Sequence, residues 1–189
     1  MTARTARRAG LPERWWDEYE PPAGLSAEII AGELVLSPSP TLDHGIAQSE
    51  LFRALDRHLP GGHVIVPGVE WRLAADGLVA AAPQPDLMVV RRDSGRRQLT
   101  KPPLLAVEVL SPSDHRKLAQ GISRIEGKRL DYAANGLRHY LEVERVAGVC
   151  TVRRYELHDG RLDVAEVIEG DKPLVATVPY DYEVRPSRL

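Results

Sequence analysis

Leu104-Leu105-Ala106-Val107-Glu108-Val109-Leu110 is the stretch from which the rest of the chain can be read. Apart from Glu108 its side chains are apolar on both alternating positions, as in a strand covered on both faces, so it is predicted to run through the middle of a sheet. Glu108 then poses a problem. An ionised carboxylate taken out of water without a partner is strongly unfavourable, so something cationic must sit beside it. A plain ion pair with one of the nearby arginines would meet that need, and so would a metal ion.

The flanking segments on either side suggest what the partner is. Upstream, Asp86-Leu87-Met88-Val89-Val90 reads as another strand, opened by Asp86 directly after Pro85. If the two strands are neighbours, the carboxylates of Asp86 and Glu108 can converge at one end of the sheet, and two hard oxygen donors suit Mg²⁺. Downstream, Ser111-Pro112-Ser113 breaks the strand and offers Ser113 or Asp114 as a helix cap. Leu118, Ile122, Ile125 and Tyr132 supply the apolar stripe of a helix expected to end at Asn135-Gly136, weakened by Gly121 and Gly127. Lys117, Arg124 and Lys128 fall on one further stripe of that helix. The stripe could simply face water. Leaning over the sheet instead, an ammonium there would orient an attacking water and offset charge building on phosphorus.

Further out, Ala27–Ile30 and Glu33–Leu36 flank Ala31-Gly32 as a hairpin. Residues 41–59, with Ile46, Leu51, Leu55 and Leu59, form a predicted amphipathic helix closed by Pro60-Gly61-Gly62. His44 and Gln48 sit at i and i+4 on it and read best as a polar helix face. Strands are expected at 63–66 and 69–73, and again at 139–143, 149–157, 162–168 and 174–178. The first twenty residues read as an arm docked by Trp15 and Trp16, and residues 21–189 as a single domain.

Composition narrows the setting. The chain of 189 residues is 43% hydrophobic, enough for one substantial core. No apolar run approaches the roughly 18 residues of a membrane span, and no signal segment is evident, so neither membrane association nor export is expected. A single cysteine, Cys150, permits no intramolecular disulfide and fits a cytoplasmic protein. Net charge is −2, which does not favour a polyanion partner. Charge is uneven, however: residues 91–129 hold ten Lys and Arg against four Asp and Glu, among them Arg96, Arg97, Arg116, Lys117 and Arg124. A solvated loop and helix face would account for this block, and so would a surface for phosphates.

Taken in order, Ala27–Val35, Ser37-Pro38-Ser39-Pro40 with His44, Pro85-Asp86, Val107–Ser113, and Lys128 with Tyr132 and Gly136 resemble the Uma-type endonuclease family over roughly residues 20–145. That family belongs to the restriction-endonuclease-like PD-(D/E)XK superfamily. The resemblance implies an α/β fold with a central mixed β-sheet flanked by helices, here with extra strands at the C-terminus. It also implies Mg²⁺-dependent cleavage of nucleic-acid phosphodiesters, with Mn²⁺ as a possible substitute, and DNA as the substrate. Its site would be Asp86 and Glu108 as metal ligands, Glu28 at a matching acidic position, and a lysine. The usual superfamily lysine follows the acidic residue by two positions, where this chain has Leu110, so the lysine is assigned to the helix at Lys128, with Lys117 as fallback. Arg116, Lys117 and Arg124 would hold the phosphate backbone, and cutting two strands suggests a homodimer. The family's Glu-Tyr-Trp run is replaced by His139-Tyr140-Leu141. A catalytically silent binding domain of the same fold is the alternative reading, and hydrolysis of a small phosphodiester a more distant one.

Overall fold

In the computed structural model, which describes residues 10–94 and 98–189, the Leu105–Leu110 strand lies inside a six-stranded sheet. The elements in chain order are β1 (Leu11–Pro12), α1 (Glu13–Glu18), β2 (Leu25–Ile30), β3 (Glu33–Pro38), α2 (Leu42–Asp56), β4 (His63–Val66), β5 (Leu73–Ala75), β6 (Leu78–Ala81), β7 (Leu87–Arg91) and β8 (Leu105–Leu110). A 3-10 turn (Pro112–His115) follows, then α3 (Arg124–Ala134), β9 (His139–Val146), β10 (Val149–His158), β11 (Arg161–Glu169), β12 (Leu174–Ala176), β13 (Tyr182–Val184) and a second 3-10 turn (Pro186–Arg188). The central sheet has the order β11-β10-β9-β8-β7-β4. Its β8–β9 pair is parallel, joined by the α3 crossover, and the other pairs are antiparallel. This is the mixed sheet expected, with β10–β13 as the additional C-terminal strands.

Strand periodicity divides β8 between two layers. Leu105, Val107 and Val109 pack with Ala47, Leu51 and Leu55 of α2 on one face. Ala106 packs with Ile125 and Tyr132 of α3 and with Tyr140 on the other. Glu108 therefore belongs to the α3 face. The hairpin β2–β3 turns through Ala31 (φ 51°) and Gly32 (φ 83°), the two consecutive positive φ values that a two-residue hairpin loop requires.

Several expectations need correction. The helix predicted from Ser113 is two pieces. A 3-10 turn is capped by Ser111, and α3 starts only after Ser123, whose hydroxyl accepts from the Glu126 amide while the Glu126 carboxylate accepts from the Ser123 amide. Gly121 at φ 84° belongs to the turn between them. Lys117 is thus not on the helix of Lys128. The strand expected at 69–73 reduces to a single bridge between Trp71 and Leu99, with the pairing strand shifted to β5. Strands β6 and β13 lacked a clear alternating pattern and were not foreseen. Of the proposed arm, residues 1–9 lie outside the described residues, as do Gly95, Arg96 and Arg97. Trp16 is buried, whereas Trp15 is exposed and stacks on Tyr19. No helix among the described residues is long and apolar enough to cross a membrane.

Candidate active site

Because Glu108 points to the α3 face, it meets residues one helical turn apart. Lys128 and Tyr132, at i and i+4, share a stripe of α3. The Lys128 ammonium donates to both oxygens of Glu108, at 2.9 and 3.1 Å, and the Tyr132 hydroxyl donates to Oε1 at 2.5 Å. Glu108 and Lys128 are each only 4% exposed. The partner demanded by the buried carboxylate is therefore a lysine, not an arginine.

A second carboxylate reaches the same ammonium. Glu28 of β2 lies 3.0 Å from Lys128 Nζ and also accepts from the Gln84 amide at 2.7 Å. Close approach of α3 to the hairpin makes this contact possible. A Cβ on Gly127 would fall 2.8 Å from Ile30 Cγ2 and 3.0 Å from Leu118 Cδ1, so the glycine that weakens the helix is what lets it seat. Asp131, one turn on, accepts from the Ala31 amide at 2.7 Å and pins the hairpin turn to the helix.

Asp86 completes the group from the neighbouring strand. Leu87 pairs with Val107, so continuing the antiparallel register by one residue sets Asp86 beside Glu108. Asp86 Oδ2 accepts from the Val109 amide at 2.7 Å, and Oδ1 lies 2.9 Å from His44 Nε2. Gln48 donates to the Asp86 carbonyl at 2.6 Å. His44 and Gln48, expected as a polar helix face, are thus turned inward to hold Asp86. Their i, i+4 spacing on the helix that covers β8 was the available signal.

Charge distinguishes this cluster from an ordinary ion pair. Glu28 and Glu108 both pair with one lysine while Asp86, held by His44, adds its field, and the acid in the cluster is felt within the site. Burial, opposed by Lys128, pushes the Glu108 carboxyl well above its ordinary value, with Asp86 and Glu28 pushing the same way. Burial pulls the Lys128 pKa down, but Glu108, Glu28 and Asp86 outweigh it and hold the ammonium protonated. Hydrogen bonding to Asp86 raises the His44 pKa despite partial burial. Among the described residues no three His, Cys, Asp or Glu side chains form a ready-made metal cage. The reason is visible: Lys128 stands between Glu28 and Glu108 and takes their oxygens. The donor set nevertheless suits a hard divalent cation, being all carboxylate oxygen with surplus negative charge, and Asp86 is still partly open at 20% side-chain exposure.

The remaining sequence candidates lie around this centre. Arg116 and Lys117 are exposed beside the 3-10 turn after β8, and Arg124 opens α3 half-buried, 3.4 Å from the Ser37 hydroxyl. Lys117 does not reach the carboxylates, which removes it as the fallback lysine. One cluster escaped sequence reading altogether. Glu142, fully buried on β9 and registered directly against Glu108, is held by Arg129 at 2.5 Å to each oxygen and by the Tyr155 hydroxyl at 2.8 Å. Its signal was the same as that of Glu108, an acid in an apolar strand.

A mixed sheet whose interior strand turns a buried glutamate toward a lysine on the crossover helix, with an aspartate heading the adjacent strand, defines a protein of the restriction-endonuclease-like class. The chain belongs to the Uma2 family, described as "Putative restriction endonuclease", which it matches over residues 16–185. Among solved structures it is similar to a putative nuclease belonging to DUF820 from Anabaena variabilis ATCC 29413, with a TM-score of 0.64 and 16% identity over 89% of each chain. Comparison with curated proteins gives no match.

Proposed function

We propose that the chain is a Mg²⁺-dependent endonuclease acting on DNA, with Asp86 and Glu108 as metal ligands, Glu28 as an accessory acid and Lys128 as the catalytic cation. One observation supports this reading above the others: two carboxylates from separate strands, Glu28 and Glu108, share a single buried lysine, and a third, Asp86, adds its field to the same cluster. Mg²⁺, or Mn²⁺ in its place, would supply Lewis acidity toward a phosphoryl oxygen and ease deprotonation of the attacking water. Lys128, kept protonated by its acidic neighbours, offsets charge on the phosphoryl oxygens as the water oxygen bonds to phosphorus and the ester oxygen leaves. Tyr132 fixes the Glu108 carboxylate through its hydroxyl, and His44 and Gln48 fix Asp86. Arg116, Lys117 and Arg124 hold the phosphate backbone, a role that calls for steeply salt-dependent binding. A homodimer acting in the cytoplasm would bring two such sites to the two strands, and sedimentation of the protein with and without duplex tests the pairing.

The decisive experiment is cleavage of plasmid DNA with Mg²⁺ by the wild type, Asp86→Ala and Glu108→Ala, each checked for folding by circular dichroism. Cleavage by the wild type and its loss in both variants is expected. Full cleavage by both variants would remove the site.

A further inference from the structure

A second basic flank lies along α2, on the face of the central sheet opposite to α3, and none of its residues has a role in the site described above. A cavity of about 470 Å³ is lined at one end by Thr41, Ser111 and His44, whose ring reaches Asp86, and further along by Arg145 and Arg188. Arg188 and Leu189 also line the next cavity, of about 360 Å³, whose wall carries Arg53, Arg57 and Arg185. The two hollows therefore share a wall and follow α2 from its first turn to its end. From His44 to Arg57 is thirteen residues, about 20 Å at the helical rise.

The charges along this path are not all consumed internally. Arg53 pairs with Glu50, Arg185 with Glu183, and Arg145 donates to the Leu189 carbonyl. Among the described residues, no hydrogen bond or ion pair engages the guanidinium of Arg57 or of Arg188, and both residues are exposed. Two uncommitted guanidinium forks, Arg57 on the smaller cavity and Arg188 on the wall that the two cavities share, suit successive oxyanions spaced along a chain better than they suit one small ligand. At about 3.4 Å of duplex axis per base pair, 20 Å corresponds to roughly six base pairs.

We infer that the groove between α2 and the C-terminal 3-10 turn carries the sugar–phosphate backbone of the nucleic acid away from the active site, with Arg188 and Arg57 as its phosphate contacts. This rests on the nuclease reading above, since it extends the same substrate along a new surface. It places the substrate between two flanks, one on the β3 and α3 side and one on the α2 side, with the carboxylates at the junction.

Binding without cleavage separates this inference from the one it rests on. A fluorescein-labelled 20-base-pair duplex is titrated with the full chain in EDTA, and anisotropy is followed from 50 to 300 mM salt. The Arg57→Ala/Arg188→Ala double variant is expected to bind about tenfold more weakly, with a slope of log K against log salt flatter by about two, one per lost phosphate contact. Arg188→Glu alone should weaken binding at least as much as Arg188→Ala, because repulsion is added. Arg161→Ala, at the exposed turn between β10 and β11 and outside both cavities, should leave affinity unchanged, and thermal melting of each variant shows that folding is intact. Wild-type binding together with unchanged affinity and slope in the double variant overturns the groove and leaves the active-site proposal standing. Absence of salt-dependent binding by the wild type overturns both.

Discussion

Two buried glutamates sit side by side on β8 and β9, and they are served by consecutive residues of one helix. Glu108 is met by Lys128 and Tyr132, Glu142 by Arg129 and Tyr155. The difference lies in stoichiometry. The Arg129 guanidinium lays a flat fork across both oxygens of Glu142 and closes a one-to-one pair, while stacking over the Tyr155 ring at 5.0 Å. Lys128 is a point charge with three donors, so it can serve Glu108 and Glu28 together, with Asp86 adding its field. An acid buried in a strand is therefore not by itself a mark of function. Acids in excess of their fixed cations are the better sign, because such an imbalance is relieved by a proton or by a further cation, and either one can take part in chemistry.

The sharpest way to break this comparison is to remove each cation in turn. Arg129→Met leaves Glu142 buried without a counter-charge and should cost about 3–5 kcal/mol in urea unfolding. Mg²⁺ should restore none of that loss. Lys128→Met should also destabilise, but here added Mg²⁺ should recover part of the melting temperature, because the three carboxylates remain to receive it. Equal behaviour of the two variants toward Mg²⁺ would erase the distinction.

Removing the acids reverses the pattern. Glu108→Gln and Asp86→Asn should each lower cleavage per folded molecule by roughly 10²–10³-fold, with a smaller loss of stability than Glu142→Gln because Lys128 keeps Glu28 as partner. Glu142→Gln should instead lower stability while leaving cleavage per folded molecule within about threefold. The two tyrosines offer a milder contrast: Tyr132→Phe and Tyr155→Phe each lose one hydrogen bond to a carboxylate, about 1.5–3 kcal/mol of stability. Only the former should reduce the cleavage rate, since only Tyr132 touches Glu108.

The smallest effect belongs to Glu144, two residues beyond Glu142 on β9 and nearer the surface. Burial pushes its carboxyl up, but hydrogen bonds from Arg153 and His115 outweigh this and hold it below the ordinary value. A carboxylate with a depressed folded pKa contributes stability that is present above its unfolded pKa and lost as pH falls through the folded one. Glu144→Gln should therefore flatten the decline in melting temperature below about pH 4.5, by an amount worth at most about 1 kcal/mol.

Much of the site was legible from pattern alone. An acid within an apolar strand announced Glu108, a Pro-Asp opening announced Asp86, and the hairpin of Glu28 followed from Ala31-Gly32 between short apolar runs, since strand period and turn chemistry are local properties. Lys128 was legible only through family resemblance, because a helical lysine looks the same whether it faces water or a carboxylate. Propensity misjudged the helix around it: Gly121 and Gly127 looked like defects, whereas one shapes the turn before α3 and the other admits the hairpin to within contact.

The order of residues along the chain determined most of the central strands and the long helix α2, and that an interior strand carried a charge in need of a partner. Tertiary structure alone decided what that partner was. Lys128 and Arg129 are adjacent and both cationic, and only the way α3 rolls across β8 and β9 delivers one to an overcrowded group of acids and the other to a closed pair. That choice depends on the seating of a helix against a hairpin a hundred residues away, and distances across a fold are not written in local spacing.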